Sequence, residues 1–168
     1  MIDLFEPLRV ELPDLIRDAA GWDSLDITYR PPRVQRLWRT WRGYRVNLHC
    51  IEACDDPFYH PHPWPCAIWT VRGRQEVGFG FGKGTEPPPV ASRVVFGAGS
   101  FYEMTEFDAW HYVKVTSGPM LSVMITGAPW GRKMPDEPKI KLSSLHPDHK
   151  ADLLRAFYDL VCWDQSWA

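Results

Sequence analysis

The stretch that decides the fold is His60-Pro61-His62-Pro63-Trp64-Pro65-Cys66, which leads into a run of strand-forming residues. Side chains two positions apart in an extended chain point to the same side, so His60 and His62 present their imidazoles together. Neutral imidazole nitrogens are common ligands of first-row divalent metals. A third histidine, His111, lies in another strand-like segment at 110–115. The pattern predicts a metal site formed by these three histidines.

Short strand-like segments separated by turn residues fill the centre of the chain. The segment at 76–82 contains the strict alternation Val77-Gly78-Phe79-Gly80-Phe81-Gly82, which is typical of a strand. This spacing predicts an all-β, antiparallel barrel or sandwich with its core at about residues 34–127. Alternation and turn signals indicate the other strands at 34–41, 44–52, 66–72, 93–96, 110–115 and 121–125.

Helices are expected only near the two ends. A short helix is predicted at 13–20, because Pro13 suits a first helical turn and Gly21 suits a stop. A longer amphipathic helix is predicted at 147–163, where apolar residues recur at helical spacing. The chain has 168 residues, enough to bury a core without disulfides or metals, and we predict one domain over 1–168.

Composition argues against several classes of partner. A net charge of −2 and a pI near 6.3 give no electrostatic basis for binding nucleic acid. Six arginines at 30–45 are expected to line a strand surface, where one or two of them are candidates to hold a substrate carboxylate. No apolar run is long enough for a membrane span, and no signal peptide is visible. We expect a cytoplasmic protein with reduced cysteines and a small-molecule substrate.

The spacing around the histidine pair resembles the first motif of the cupin superfamily, small β-barrels that hold a metal in a jelly-roll core. That motif is H-x-H, three residues, an acidic ligand, six residues and a glycine. Here His60-x-His62 is followed by three residues, Cys66, six residues and Gly73. The second cupin motif is mostly absent apart from His111. The resemblance covers about residues 44–125 and implies a cupin-type, jelly-roll β-barrel.

Cys66 stands where many cupins carry a glutamate ligand, and this resembles thiol dioxygenases of the cysteine dioxygenase type. The resemblance implies a mononuclear non-haem iron dioxygenase that acts on a small polar organic molecule. Fe(II) is then the expected ion on His60, His62 and His111, with Mn, Ni or Zn as alternatives. A cupin isomerase or epimerase and a non-catalytic small-molecule-binding barrel are the alternative functions.

Glu76 is the candidate fourth metal ligand and acid-base group. It shares a strand face with Gly78 and Gly80, and if that face lines the barrel, the missing side chains leave room for a substrate. If the face of Val77 points inward instead, Glu76 lies in solvent. Cys66 is the other candidate for the metal shell. Tyr102 is predicted to orient the substrate through its hydroxyl group.

Three further expectations concern residues around this site. His49 is expected to point outward or to stand behind a ligand, because the opposite face of its strand is apolar. Cys50 and Cys54 together with the histidine pair offer an alternative, structural zinc site. The tryptophan-rich strand at 34–41 is predicted to be the seam of a homodimer, which would cover unpaired backbone groups.

Overall fold

A computed structural model of the protein describes residues 1–135 and 142–164. The predicted domain over 1–168 also includes residues 136–141 and 165–168, which lie outside the described part. Two short 3₁₀ helices, Ile2–Leu4 and Ala19–Gly21, flank the first α-helix. The main elements are α1 (Phe5–Arg17), β1 (Asp23–Ile27), β2 (Val34–Trp41), β3 (Tyr44–Ile51), β4 (His60–Pro61), β5 (Cys66–Arg72), β6 (Arg74–Phe81), β7 (Ser92–Gly97), β8 (Phe101–Met104), β9 (Ala109–Val115), β10 (Met120–Thr126) and α2 (Pro147–Asp164).

Strands β3 to β10 form one long hairpin that rolls up on itself. Its arms pair antiparallel, β3 with β10, β4 with β9, β5 with β8, and β6 with β7. Rolling also brings β10 beside β5 and β9 beside β6, which divides the eight strands into two sheets of four. This topology is a cupin-type jelly roll, and it confirms the fold class expected from the sequence.

The two sheets face each other as a sandwich. Strands β1 and β2 extend the first sheet to the order β1-β2-β3-β10-β5-β8, and the second sheet has the order β4-β9-β6-β7. No ladder of hydrogen bonds joins the two sheets among the described strands, so the expected barrel is open. The fold thus has an interior between two sheets instead of inside one closed cylinder.

Both α-helices pack on the outer face of the first sheet. On β3, Val46 and Leu48 point toward the helices and are fully buried. Helix α1 buries Leu8 and Leu12 against this face, and α2 buries Phe157 there. Burying large apolar side chains contributes about 1.5–3 kcal/mol each, so this layer is the main apolar core. The inner face of the same sheet remains free to line the space between the sheets.

Several expected element bounds differ from the structure. Helix α1 begins eight residues before the predicted start, so Pro13 lies inside it, while Pro7 occupies the first turn, where its missing N–H group costs little. The predicted core missed β1, which pairs with β2 along its whole length. Strand β2 (Val34–Trp41) therefore lies between β1 and β3 and has no free edge for the expected dimer seam. Within the described residues, no helix is both long and apolar enough to cross a membrane.

Candidate metal centre

The three candidate histidines meet at one edge of the second sheet. The two-residue strand β4 pairs with β9 so that His60 lies directly opposite His111. Pro61 lacks an N–H group, which suits an edge strand of this kind. His62 follows immediately and continues the same side of the extended chain. The structure thus brings together the three residues that the sequence singles out.

The nitrogen atoms of the three rings converge. His62 Nε2 and His111 Nε2 lie 2.9 Å apart, and one ligand atom from each of the three histidines lies within 4.8 Å of the others. The centroid of the His60 ring lies 4.7 Å from that of His111 and 5.3 Å from that of His62. Among the described residues, no other group of three or more His, Cys, Asp or Glu side chains has this convergence.

Contacts behind two of the rings fix their orientation. His60 Nδ1 lies 3.0 Å from the carbonyl oxygen of Phe58, which can only accept, so this nitrogen carries the proton. The same ring stacks on the Phe58 ring at 5.2 Å. His62 Nδ1 lies 3.0 Å from Cys66 Sγ. A neutral ring that donates its Nδ1 hydrogen, to the carbonyl oxygen of Phe58 or to the sulfur of Cys66, has its lone pair on Nε2.

The environment keeps two of these rings, those of His62 and His111, neutral. Burial holds the pKa of His62 and of His111 well below the usual histidine value, and the neighbouring imidazoles lower both pKa values further. Neutral rings are the form that binds metals. A nitrogen ligand lies about 2.1 Å from such an ion, so two ligands at a right angle are about 3 Å apart, close to the separation of His62 and His111. His111 Nδ1 is buried without a partner in the described residues. The donor set fits a divalent metal ion.

Cys66 stands behind His62 instead of joining the three histidines. Its side chain is fully buried, and burial raises the pKa of its thiol to about 12, so the sulfur is protonated at neutral pH. Its sulfur is also not among the ligand atoms that converge. Its contact with His62 Nδ1 makes it a positioning residue for that ring. Cys50 and Cys54, the basis of the alternative zinc site, also lie outside the converging group.

Glu76 lies on the outer face of the second sheet. Residues 76 and 112 share that face, and the Tyr112 hydroxyl donates a hydrogen bond of 2.7 Å to Glu76 Oε1. His111 and its pairing partner Phe79 face the opposite way. The neighbouring glycine leaves room for a tyrosine and not for a substrate, because a Cβ on Gly78 would lie 2.0 Å from Tyr112 Cε1. The structure therefore does not bring Glu76 to the three histidines.

The histidines line one wall of a cavity of about 620 Å³ between the sheets. Tyr102 lines the same cavity, where its ring stacks on Phe96 at 4.6 Å. Burial raises the pKa of Tyr102, so its hydroxyl remains a hydrogen-bond donor. Most of the remaining lining is apolar, including Ile51, Phe58, Trp64, Ile68, Val113, Met120 and Met124.

Sequence reasoning missed a polar row on the inner face of the first sheet. Arg36 pairs with His49, which pairs with Ser122 on the next strand. His49 is buried and lines the cavity, which corrects the expectation that it points outward. Arg36 Nε donates a hydrogen bond of 2.9 Å to His49 Nε2. The alternation of β3 does place residues 45, 47, 49 and 51 on one face, but alternation alone does not show that a second sheet covers that face.

Comparisons with known proteins find similarity in fold only. No family model and no curated protein matches the chain, but solved structures do. One is a protein of unknown function from Vibrio parahaemolyticus, 12% identical over 61% of this chain and 96% of that chain, with a TM-score of 0.46. Ectoine synthase from P. lautus is 19% identical over 69% of this chain and 75% of that chain, with a TM-score of 0.46.

Hydroxypropylphosphonic acid epoxidase from S. wedmorenis is 12% identical over 62% of this chain and 55% of that chain, with a TM-score of 0.48. These structures give no support to the expected similarity to the cysteine dioxygenase type. The strand topology itself identifies the chain's fold as a jelly roll of cupin type.

Proposed function

We propose that this protein is a metal-dependent enzyme that acts on a small organic molecule, and that its resident ion is Fe(II) held by His60, His62 and His111. The observation that carries the proposal is the convergence of three imidazoles, with 2.9 Å between two Nε2 atoms, in the wall of the cavity between the sheets. When bound, Fe(II) supplies Lewis acidity and redox chemistry with molecular oxygen, so dioxygenation is the proposed reaction class.

The chain's own residues prepare the cavity for that chemistry. The largely apolar lining gives a bound substrate surroundings of low polarity, in which polar interactions are stronger than in water. Phe58 and Cys66 hold the rings of His60 and His62 from behind. Tyr102 is proposed to donate a hydrogen bond that orients the substrate, since burial keeps its hydroxyl protonated. Glu76 has no part in this proposal, because it faces the other side of its sheet.

Metal content tests the proposed centre directly. The protein is loaded without oxygen with Fe(II), Mn(II), Ni(II) or Zn(II), desalted and subjected to elemental analysis. Wild type is expected to hold about one ion per chain, whereas His62→Ala loses it. His149→Ala removes an exposed histidine and Glu76→Gln changes the carboxyl group on the outer face, so both are expected to keep the ion. A wild type without stoichiometric metal would exclude a metal enzyme.

Nitric oxide tests the reaction class without knowledge of the substrate. It occupies open positions on Fe(II) as oxygen does, and the product gives a characteristic electron paramagnetic resonance signal. An oxygen-using centre is expected to show this signal in the Fe(II)-loaded wild type. Metal binding without the signal would remove the dioxygenase assignment and would favour an isomerase or epimerase reaction that uses no oxygen.

A further inference from the structure

Arg36 differs from two neighbouring arginines of the same segment, which lie on the other face of the sheet. Arg33 forms ion pairs with Asp26 and Glu52, and Arg39 forms one with Asp18. Arg36 instead donates only from Nε, to His49 Nε2, and its two terminal nitrogens make no hydrogen bond with the described residues. Four N–H groups of a planar guanidinium are therefore available on the cavity side.

The cavity contains no charge that would neutralise Arg36. Its described lining includes Arg30 and Arg36 but no aspartate or glutamate. Burial and, to a smaller extent, the nearby Arg45 lower the pKa of Arg36 to about 10, so the group still carries a positive charge at neutral pH. The Arg36 guanidinium is half-buried and has no acidic partner among the described residues, which makes it a binding point for an anionic ligand that enters the cavity.

His49 fixes the orientation of the Arg36 guanidinium group. His49 accepts the Nε hydrogen, and burial next to Arg36 keeps the pKa of His49 low, so the ring remains a neutral acceptor. The guanidinium is thereby held with its terminal edge free, which suits two parallel hydrogen bonds to a carboxylate. Arg36 lines the same cavity as the three histidines, so one small molecule in that cavity can contact both.

We propose, building on the proposed function, that the substrate is a small organic acid whose carboxylate binds Arg36. The carboxylate is held at the wall formed by the first sheet, and the apolar body of the molecule lies along the aliphatic and aromatic lining toward the three histidines. Arg36 is a substrate-binding residue, and His49 is the residue that positions it.

Binding of matched probes tests this assignment. Hexanoate and its neutral isostere hexanamide are titrated by calorimetry into the metal-free protein, which separates Arg36 from any anion binding by the metal. Wild type is expected to bind hexanoate at least about tenfold more tightly than hexanamide, as a charge-assisted pair requires. Arg36→Met is expected to lose this preference, and Arg36→Lys to keep part of it. Arg155→Met, an exposed change on α2, is the matched control and is expected to keep it fully.

The outcomes separate this inference from the proposed function. Equal affinity of wild type for both probes, or no binding of hexanoate, would overturn the organic-acid assignment, even if Arg36→Met fails to fold. Unchanged hexanoate binding by a folded Arg36→Met would do the same. Zinc stoichiometry is measured on separate aliquots of the same preparations after they are loaded with zinc and desalted. Arg36-dependent hexanoate binding in a wild type that holds no zinc would overturn the metal enzyme but leave the organic-acid assignment intact.

Discussion

The thiol of Cys66 positions the ring of His62, one of the three candidate metal ligands. Cys66 Sγ lies 3.0 Å from His62 Nδ1, and the thiol stays protonated because burial raises its pKa to about 12. Groups in this position hold a ligand ring in the rotamer and tautomer that the metal needs. Cys66 stands at the position that carries an acidic ligand in the first cupin motif, but here it contacts the ring of a candidate ligand instead of joining the converging nitrogen atoms.

Replacing this thiol is expected to weaken metal binding without abolishing it. Cys66→Ala leaves His62 Nδ1 without its partner, and we expect about a 10–100-fold loss of zinc affinity. Cys66→Ser keeps a hydroxyl group at that place and should lose less. Competition with a chelating dye measures both constants. Equal affinities in wild type and Cys66→Ala would show that the contact does not position the ring.

The orientation of individual side chains shows how far sequence reasoning extends at this scale. Three histidines could be predicted, because their spacing and strand context are local. The orientation of Glu76 depends on a choice between two faces of one strand, and the burial of Val77 and the half-buried Phe79 decides it in favour of the apolar set. Arg36 could only be suggested as one of six arginines, since its lack of an acidic partner is a property of the folded cavity.

At the scale of elements, the turn after β5 contains Gly73, the last residue of the segment that resembles the first cupin motif. Gly73 has a φ angle of +92°, a conformation that side-chain-bearing residues rarely adopt. It also packs closely, because a Cβ there would lie 3.1 Å from Met120 Cα on β10. The turn brings β6 back across the cavity from β5, so Gly73 connects the two sheets of the site.

Gly73→Ala is expected to destabilise the fold by about 1–3 kcal/mol, from backbone strain and the close approach to β10. Gly97→Ala is the matched control at the partner end of β6, since an added Cβ there meets nothing within 4 Å. It should change stability by less than about 1 kcal/mol, in the stabilising direction. Urea unfolding monitored by tryptophan fluorescence measures both. Equal effects of the two substitutions would show that the turn conformation at Gly73 is not required.

Element bounds could be predicted where local signals are strong. The strands β2 and β5 have the predicted bounds, and the Arg42-Gly43 turn between β2 and β3 has positive φ at both residues, as tight hairpins require. The predicted start of α1 is wrong, because Pro13 lies inside the helix and Pro7 occupies its first turn. Strands β1 and β8 were missed because five and four residues show too little alternation.

At the scale of the whole molecule, the first sheet is covered on both faces. The helices bury one face and the second sheet covers the other, so polar residues such as His49 and Ser122 are as buried as Val46. A strand with one apolar and one polar face normally indicates solvent on the polar side. Alternation along the strands therefore does not predict this part of the site. Only the way the long hairpin rolls up shows that the polar face lies inside the protein.

This burial makes the metal-free protein sensitive to acid. His49, His62 and His111 are held neutral, with pKa values well below that of the unfolded chain, which is about 6.5. Below that pH the unfolded state binds protons that the folded state does not. The free energy of unfolding is therefore full above about pH 6.5 and falls as the pH decreases, by up to about 1.4 kcal/mol per pH unit for each histidine.

Urea unfolding of the metal-free protein between pH 5 and pH 8 tests this slope. His49→Gln removes one of the three buried rings without touching the proposed ligands, so its pH dependence below about 6.5 should be shallower by about one proton. His149→Gln removes an exposed histidine and should follow the wild type. Asp26 does not contribute to this slope between pH 5 and pH 8. Its hydrogen bond and ion pair with Arg33 lower the pKa of its carboxyl group, so it protonates only at lower pH. A wild type equally stable at pH 5 and pH 8 would contradict the buried, neutral state of these rings, and with it the lone pairs on which the metal centre depends.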